Sequence, residues 1–220
     1  MKTFAGIEAQ YAEYDAASVL LQSIPYDGTS TWGKGADHGF PAFLEAAENM
    51  ELYDIETQSE VFRRGVHILP PIVENYSPEA VFHAVYENTR KLIGSGKFLT
   101  FFGGEHSISI GIIKALYEAY PGMTVLQLDA HTDLRPEYHG SPYNHACAVY
   151  DASLHTNLVQ VGIRSMDIGE VQYMNRQKVF FAEEMYGTTK WMSEAIDLMT
   201  DPVYITLAGC GLARHGRWGR

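Results

Sequence analysis

Two apolar runs that stop abruptly at ionisable side chains constrain this chain most. Thr124-Val125-Leu126-Gln127 reads as a buried strand, and Leu128-Asp129-Ala130-His131-Thr132-Asp133 follows it. In an extended chain alternate side chains point the same way, so Asp129, His131 and Asp133 are expected to converge. Burying three such groups is expensive unless something pairs with them, and a divalent cation is the natural partner. The plainer alternative is a solvated strand end whose polar residues cap the next helix. A second run, Phe98–Phe102, ends in Gly103-Gly104-Glu105-His106-Ser107. The two glycines permit a tight turn or a close backbone approach. His106 thereby comes to the same kind of strand end as Asp129. Sites in parallel α/β sheets gather at the carboxyl ends of strands, so two such ends in succession favour the metal reading.

Five further runs read as strands: Val19–Pro25, Val66–Leu69, Asn157–Ile163, Lys178–Ala182 and Val203–Leu207. Met50–Asp54 is a short candidate for an edge. Helical patterns occupy Pro41–Asn49, Ala80–Ile93, Ser109–Tyr120 and Trp191–Met199, and Ser77-Pro78-Glu79 supplies a cap, a first-turn proline and a first-turn acid for the second of them. Residues 1–15 read as a polar lead-in. Strands alternating with helices predict a parallel sheet with helices on both faces.

The 220 residues suit one α/β domain with a sizeable core, and nearly half of them are apolar, which excludes disorder. The net charge of −11 argues against nucleic-acid binding, which needs a basic face, and is compatible with a cationic substrate. Cys147 and Cys210 cannot build a disulfide framework or a Cys-rich zinc site. No signal pattern opens the chain and no apolar run is long enough to span a bilayer, so a soluble, cytoplasmic protein is expected.

Gly-Gly-Glu-His-Ser at 103–107 and Asp-Ala-His-Thr-Asp at 129–133 resemble two of the three metal signatures of the ureohydrolases, the family of arginase and agmatinase. The resemblance runs from about Ala16 to Leu207. It implies a three-layer α/β/α fold of the arginase/deacetylase kind around a parallel sheet. It also implies two Mn²⁺ ions sharing a hydroxide. By motif match Asp129 would bridge the ions, His106 and Asp133 would serve one, and His131 the other. The hydroxide attacks a guanidinium carbon, giving urea and an amine. His145 matches the family histidine that protonates the leaving group. Asp167 matches a substrate-contacting aspartate, although a loop aspartate is as readily a cap. Arg135 stands where arginases carry an Asn, and the run 133–138 resembles the agmatinase branch. The implied reaction is hydrolysis of agmatine to putrescine and urea. Guanidinobutyrate, arginine and formimidoylglutamate remain alternatives. A homo-oligomer is implied for the full-length family form.

The third family signature, an Asp-x-Asp after a later strand, is missing. Leu207 is followed by Ala208-Gly209-Cys210. Residues 1–207 therefore read as an incomplete ureohydrolase domain, and 208–220 as an aberrant Gly/Arg-rich tail from a frame shift or truncation. The final strand and helix of the family fold would be missing, and that strand lies between the third and seventh. With two of four aspartates gone, one weakly held ion or none is expected, near His106, with impaired turnover. A non-catalytic metal-binding remnant is the alternative.

Overall fold

The computed structural model describes residues 3–209. The arginine-bearing tail and Cys210 lie outside the described residues. In chain order the strands are β1 (Val19–Ile24), β2 (Val66–Leu69), β3 (Phe98–Gly103), β4 (Thr124–Leu128), β5 (Asn157–Ile163), β6 (Val179–Phe181) and β7 (Val203–Leu207). The helices are α1 (Ala9–Ala12), α2 (Gly39–Ala47), α3 (Pro78–Ile93), α4 (Ile108–Ala119), α5 (Tyr150–His155), α6 (Ala182–Met185) and α7 (Lys190–Asp197). The chain divides into two compact units, residues 1–111 and 112–220.

The first unit holds a three-stranded parallel sheet in the order β2-β1-β3. β1 is buried along most of its length through Leu20, Leu21 and Ile24. Helix α3 starts where the sequence predicts: the Ser77 hydroxyl accepts the Ala80 N–H at 3.1 Å, and Pro78 is the first helical residue. Val81, Phe82 and Val85 form its buried face.

The second unit holds a four-stranded parallel sheet in the order β6-β5-β4-β7. One face packs Val125 and Leu158 against Ile113 of α4 and Ala152 of α5. The other packs Val159 and Val161 against Ala195 of α7. Strands buried on both faces lose the alternation of a half-exposed strand, which is why β4 and β5 read as continuous apolar runs.

The parallel α/β reading holds, with one difference. The seven strands make two hydrogen-bonded sheets, and β3 and β7 are each an outer strand. Alternate residues Ile205 and Leu207 of β7 stay 57% and 54% exposed, an apolar face left uncovered among the described residues.

Two local expectations need correction. Met50–Asp54 is not a strand. The Asp54 carboxylate accepts the N–H groups of Glu56 and Thr57, each at 2.9 Å, and this local turn competes with sheet pairing. The amino-terminal segment is not merely polar: it makes a 3₁₀ turn at Phe4–Gly6 and helix α1, with Ala5 and Ile7 buried. Three or four apolar residues are too short a run to show periodicity.

Gly111 marks a close approach between helices α3 and α4. A Cβ there would stand 2.8 Å from the Phe82 carbonyl oxygen and 3.0 Å from the Tyr86 nitrogen. Alanine is intrinsically the better helix former by about 1 kcal/mol, but overpacking costs about 1–3 kcal/mol, and backbone atoms cannot swing aside. Gly111→Ala is therefore expected to lower the midpoint of urea unfolding. An unchanged or raised midpoint would show that the helices separate freely.

Candidate metal centre

In the first unit, β3 delivers the Gly-Gly-Glu-His-Ser segment at its carboxyl end. Gly104 donates its N–H to the Ile24 carbonyl at 3.2 Å, and Glu105 donates to that of Tyr26 at 2.9 Å. A side chain at position 104 is excluded, since a Cβ would lie 2.1 Å from the Tyr26 carbonyl oxygen. Glu105 then acts as a clamp. Its carboxylate accepts the Thr29 and Ser107 hydroxyls, both at 2.8 Å, and the Ser107 N–H at 2.7 Å. This ties the turn carrying His106, which is half-buried, to the glycine-rich loop after β1. That loop is organised by Asp27. Burial pushes its carboxyl up, but the Ser30 hydroxyl, the N–H groups of Gly35 and Ala36 and the Lys34 ammonium outweigh this and hold it below the usual range.

In the second unit, β4 ends at Leu128 and Asp129 is 2% exposed. Its Oδ1 accepts the His131 N–H at 3.0 Å and its Oδ2 accepts from the Gln127 amide at 3.2 Å. The simple alternation expected from sequence does not continue through the motif. Asp133 has φ of +48°, a left-handed turn rather than a strand residue. That turn still leaves oxygen atoms of Asp129 and Asp133 within 4.8 Å of each other. His131 is different: its ring is about half exposed, with Nδ1 3.6 Å from Asp129 Oδ1.

The loop beyond is tied down by a buried acid the sequence did not single out. Glu170 accepts the Leu134 N–H at 2.7 Å and the Asp167 N–H at 2.6 Å. Asp167 completes a capping box by accepting the Gly169 N–H at 2.9 Å, and it also pairs with Arg135 at 3.3 Å. The Arg135 guanidinium lies over the Tyr138 ring at 4.8 Å. His145 begins a 3₁₀ turn capped by Asn144, its ring edge-on to Tyr138 at 6.0 Å. Burial pushes the neighbouring Cys147 thiol up to about 12, so it supplies no thiolate near neutral pH.

The donor chemistry fits a hard divalent cation. Two buried carboxylates held close together repel unless a positive charge lies between them, and oxygen and imidazole donors without thiolate suit Mn²⁺ or a similar ion.

The arginase family profile matches residues 17–208. The chain belongs to the arginase family. The N(1)-aminopropylagmatine ureohydrolase of Synechocystis is 33% identical over 94% of this chain and 71% of its own length. The agmatinase of Bacillus subtilis is 26% identical over 90% of this chain and 70% of its own. The crystal structure of the agmatine ureohydrolase of Thermoplasma volcanium matches with a TM-score of 0.79 and 27% identity, over 94% of this chain and 71% of that one. By family the chain is a hydrolase of the agmatinase branch.

One buried group in the arginase-family motif stands apart. Thr132 is buried, and its hydroxyl has no hydrogen-bond partner among the described residues. An unsatisfied buried hydroxyl costs about 1–3 kcal/mol. Thr132→Val keeps the shape and removes the cost, so the melting temperature of the metal-free protein is expected to hold or rise. A fall of several degrees would show that the hydroxyl is bonded.

Proposed function

We propose that the reaction of this arginase-family chain is hydrolysis of a guanidino compound to urea and an amine, impaired here by the missing Asp-x-Asp signature, with agmatine, which would give putrescine, as the first candidate. The buried Asp129 and Asp133 carboxylates at the end of β4, in a chain of this family, carry the reading. By motif match His106, Asp129 and Asp133 are the candidate ligands of one Mn²⁺ ion, and only Asp129 and His131 are left for the second that the family motif implies. A bound divalent ion supplies Lewis-acid activation of water near neutral pH.

The remaining roles fall to side chains of the chain itself. His145, with an imidazole suited to proton transfer near neutrality, would give a proton to the leaving amine. Asp167 is the candidate contact for the cationic end of the substrate. Its pairing with Arg135 turns that guanidinium's charge onto a carboxylate, which favours a substrate without a carboxyl group over a guanidino acid. The acidic balance of the chain would draw such a cation in. A second reading, N(1)-aminopropylagmatine, rests on the 33% and 32% identical relatives from Synechocystis and Thermus thermophilus that carry that name. No helix among the described residues is long and apolar enough to cross a membrane. We place the enzyme in the cytoplasm.

Ala208 and Cys210 stand where the family carries two aspartates. The proposed centre is therefore short of two negative charges against two divalent ions, and in a partly buried site this imbalance is far costlier than in water. At most one ion should be held, and weakly.

The test measures manganese content after gel filtration, and urea released from agmatine, aminopropylagmatine, L-arginine and 4-guanidinobutyrate. Little urea is expected from the chain as it stands. The doubly substituted Ala208→Asp, Cys210→Asp protein should gain manganese and release urea from agmatine at least about tenfold faster, since 1.4 kcal/mol of transition-state stabilisation suffices for that. Preference for arginine or guanidinobutyrate would overturn the substrate. Two tightly bound ions in the unaltered chain, with turnover abolished by His131→Ala, would overturn the charge argument.

A further inference from the structure

β4 and β5 each carry one glutamine in an otherwise apolar stretch, and the parallel register pairs Gln127 with Gln160. Both are fully buried, at 0% and 1% exposure. The Gln160 amide donates to the Gln127 carbonyl oxygen at 2.7 Å and to the Thr132 carbonyl at 2.9 Å. The Gln127 amide in turn donates to Asp129 Oδ2 at 3.2 Å and to the His131 carbonyl at 3.1 Å. Each NH₂ group thus spends both of its hydrogens, one along the relay and one on the motif backbone.

The direction of this relay is dictated by chemistry. An ionised carboxylate only accepts, so Gln127 must turn its NH₂ group towards Asp129. Its carbonyl then faces Gln160, which must present its own NH₂ group. A flip of either amide would set oxygen against oxygen in a buried site, where an unpaired polar group is costly. The relay therefore fixes two things: the rotation of the Asp129 carboxylate, and the path of the backbone at His131 and Thr132 that brings Asp133 round to it.

We propose that Gln127 and Gln160 are positioning residues that hold the Asp129 carboxylate in the orientation needed to bind a divalent cation. The proposal rests on the metal reading given above. Gln127 acts directly, and Gln160 acts through Gln127 and Thr132. A buried amide pair could instead serve only to stitch β4 to β5, and stability alone would not tell the two roles apart.

The experiment is an electron paramagnetic resonance titration of the purified full chain with Mn²⁺, without substrate, beside thermal melts of the metal-free proteins. Gln127→Met, which keeps volume and removes the donors, is expected to weaken Mn²⁺ binding about 10–100-fold, the usual effect of removing a group that orients a ligand. Gln160→Met should weaken it less, and it remains informative if Gln127→Met does not fold. Asp129→Asn is the control for the metal reading. If Asp129→Asn binds as the unaltered chain does, or the unaltered chain binds no Mn²⁺, the metal reading fails and the proposal with it. If Asp129→Asn loses binding while the folded glutamine variants keep full affinity and only melt lower, the metal reading stands and the positioning role is overturned.

Discussion

The organisation of the second unit depends on burying the Asp129 carboxylate close to that of Asp133. Two like charges in a poorly solvated place raise the energy of the folded chain unless donors and cations surround them. The fold answers locally with the His131 N–H and the Gln127 amide, both aimed at Asp129. The proposed divalent cation would answer the rest. Most of the polar detail around β4 and β5 follows from this one requirement. It explains why glutamines sit in the middle of apolar strands and why Asp133 accepts a left-handed backbone that a bulkier residue would resist.

Much of the fold was legible because burial on both faces writes itself into sequence as short apolar runs. β5 and β7 begin and end where their runs do. The start of α3 was legible because Ser77 and Pro78 each satisfy a local geometric rule. Met50–Asp54 misled because its composition suits a strand, while the decisive interaction is a hydrogen bond that the Asp54 carboxylate accepts from the backbone N–H two residues on. In the site, the ionisable side chains were visible as motif residues. Their means of support was not. Glu170 lies 36 residues from the Leu134 N–H that it accepts, and Gln160 lies 33 from Gln127. A polar residue inside a buried strand is the signal that could have pointed to both glutamines, and it acquires meaning only once the register of β4 and β5 is known.

Two of the four outer strands connect the architecture to the proposed activity. β3 carries the His106 segment and β7 leads into Ala208, so two of the four outer strands adjoin positions that the proposed metal centre involves. The exposed Ile205 and Leu207 belong to the same strand that leads into Ala208. On the proposed reading, a shortage of charge at the metal and a shortage of covering for β7 would share one origin in the residues after Leu207.

The most direct measurement is anomalous diffraction at the manganese edge from crystals of the protein grown with Mn²⁺. The account predicts at most one peak, of partial occupancy, within coordination distance of carboxylate oxygens of both Asp129 and Asp133. A peak elsewhere, or two fully occupied peaks, would contradict it.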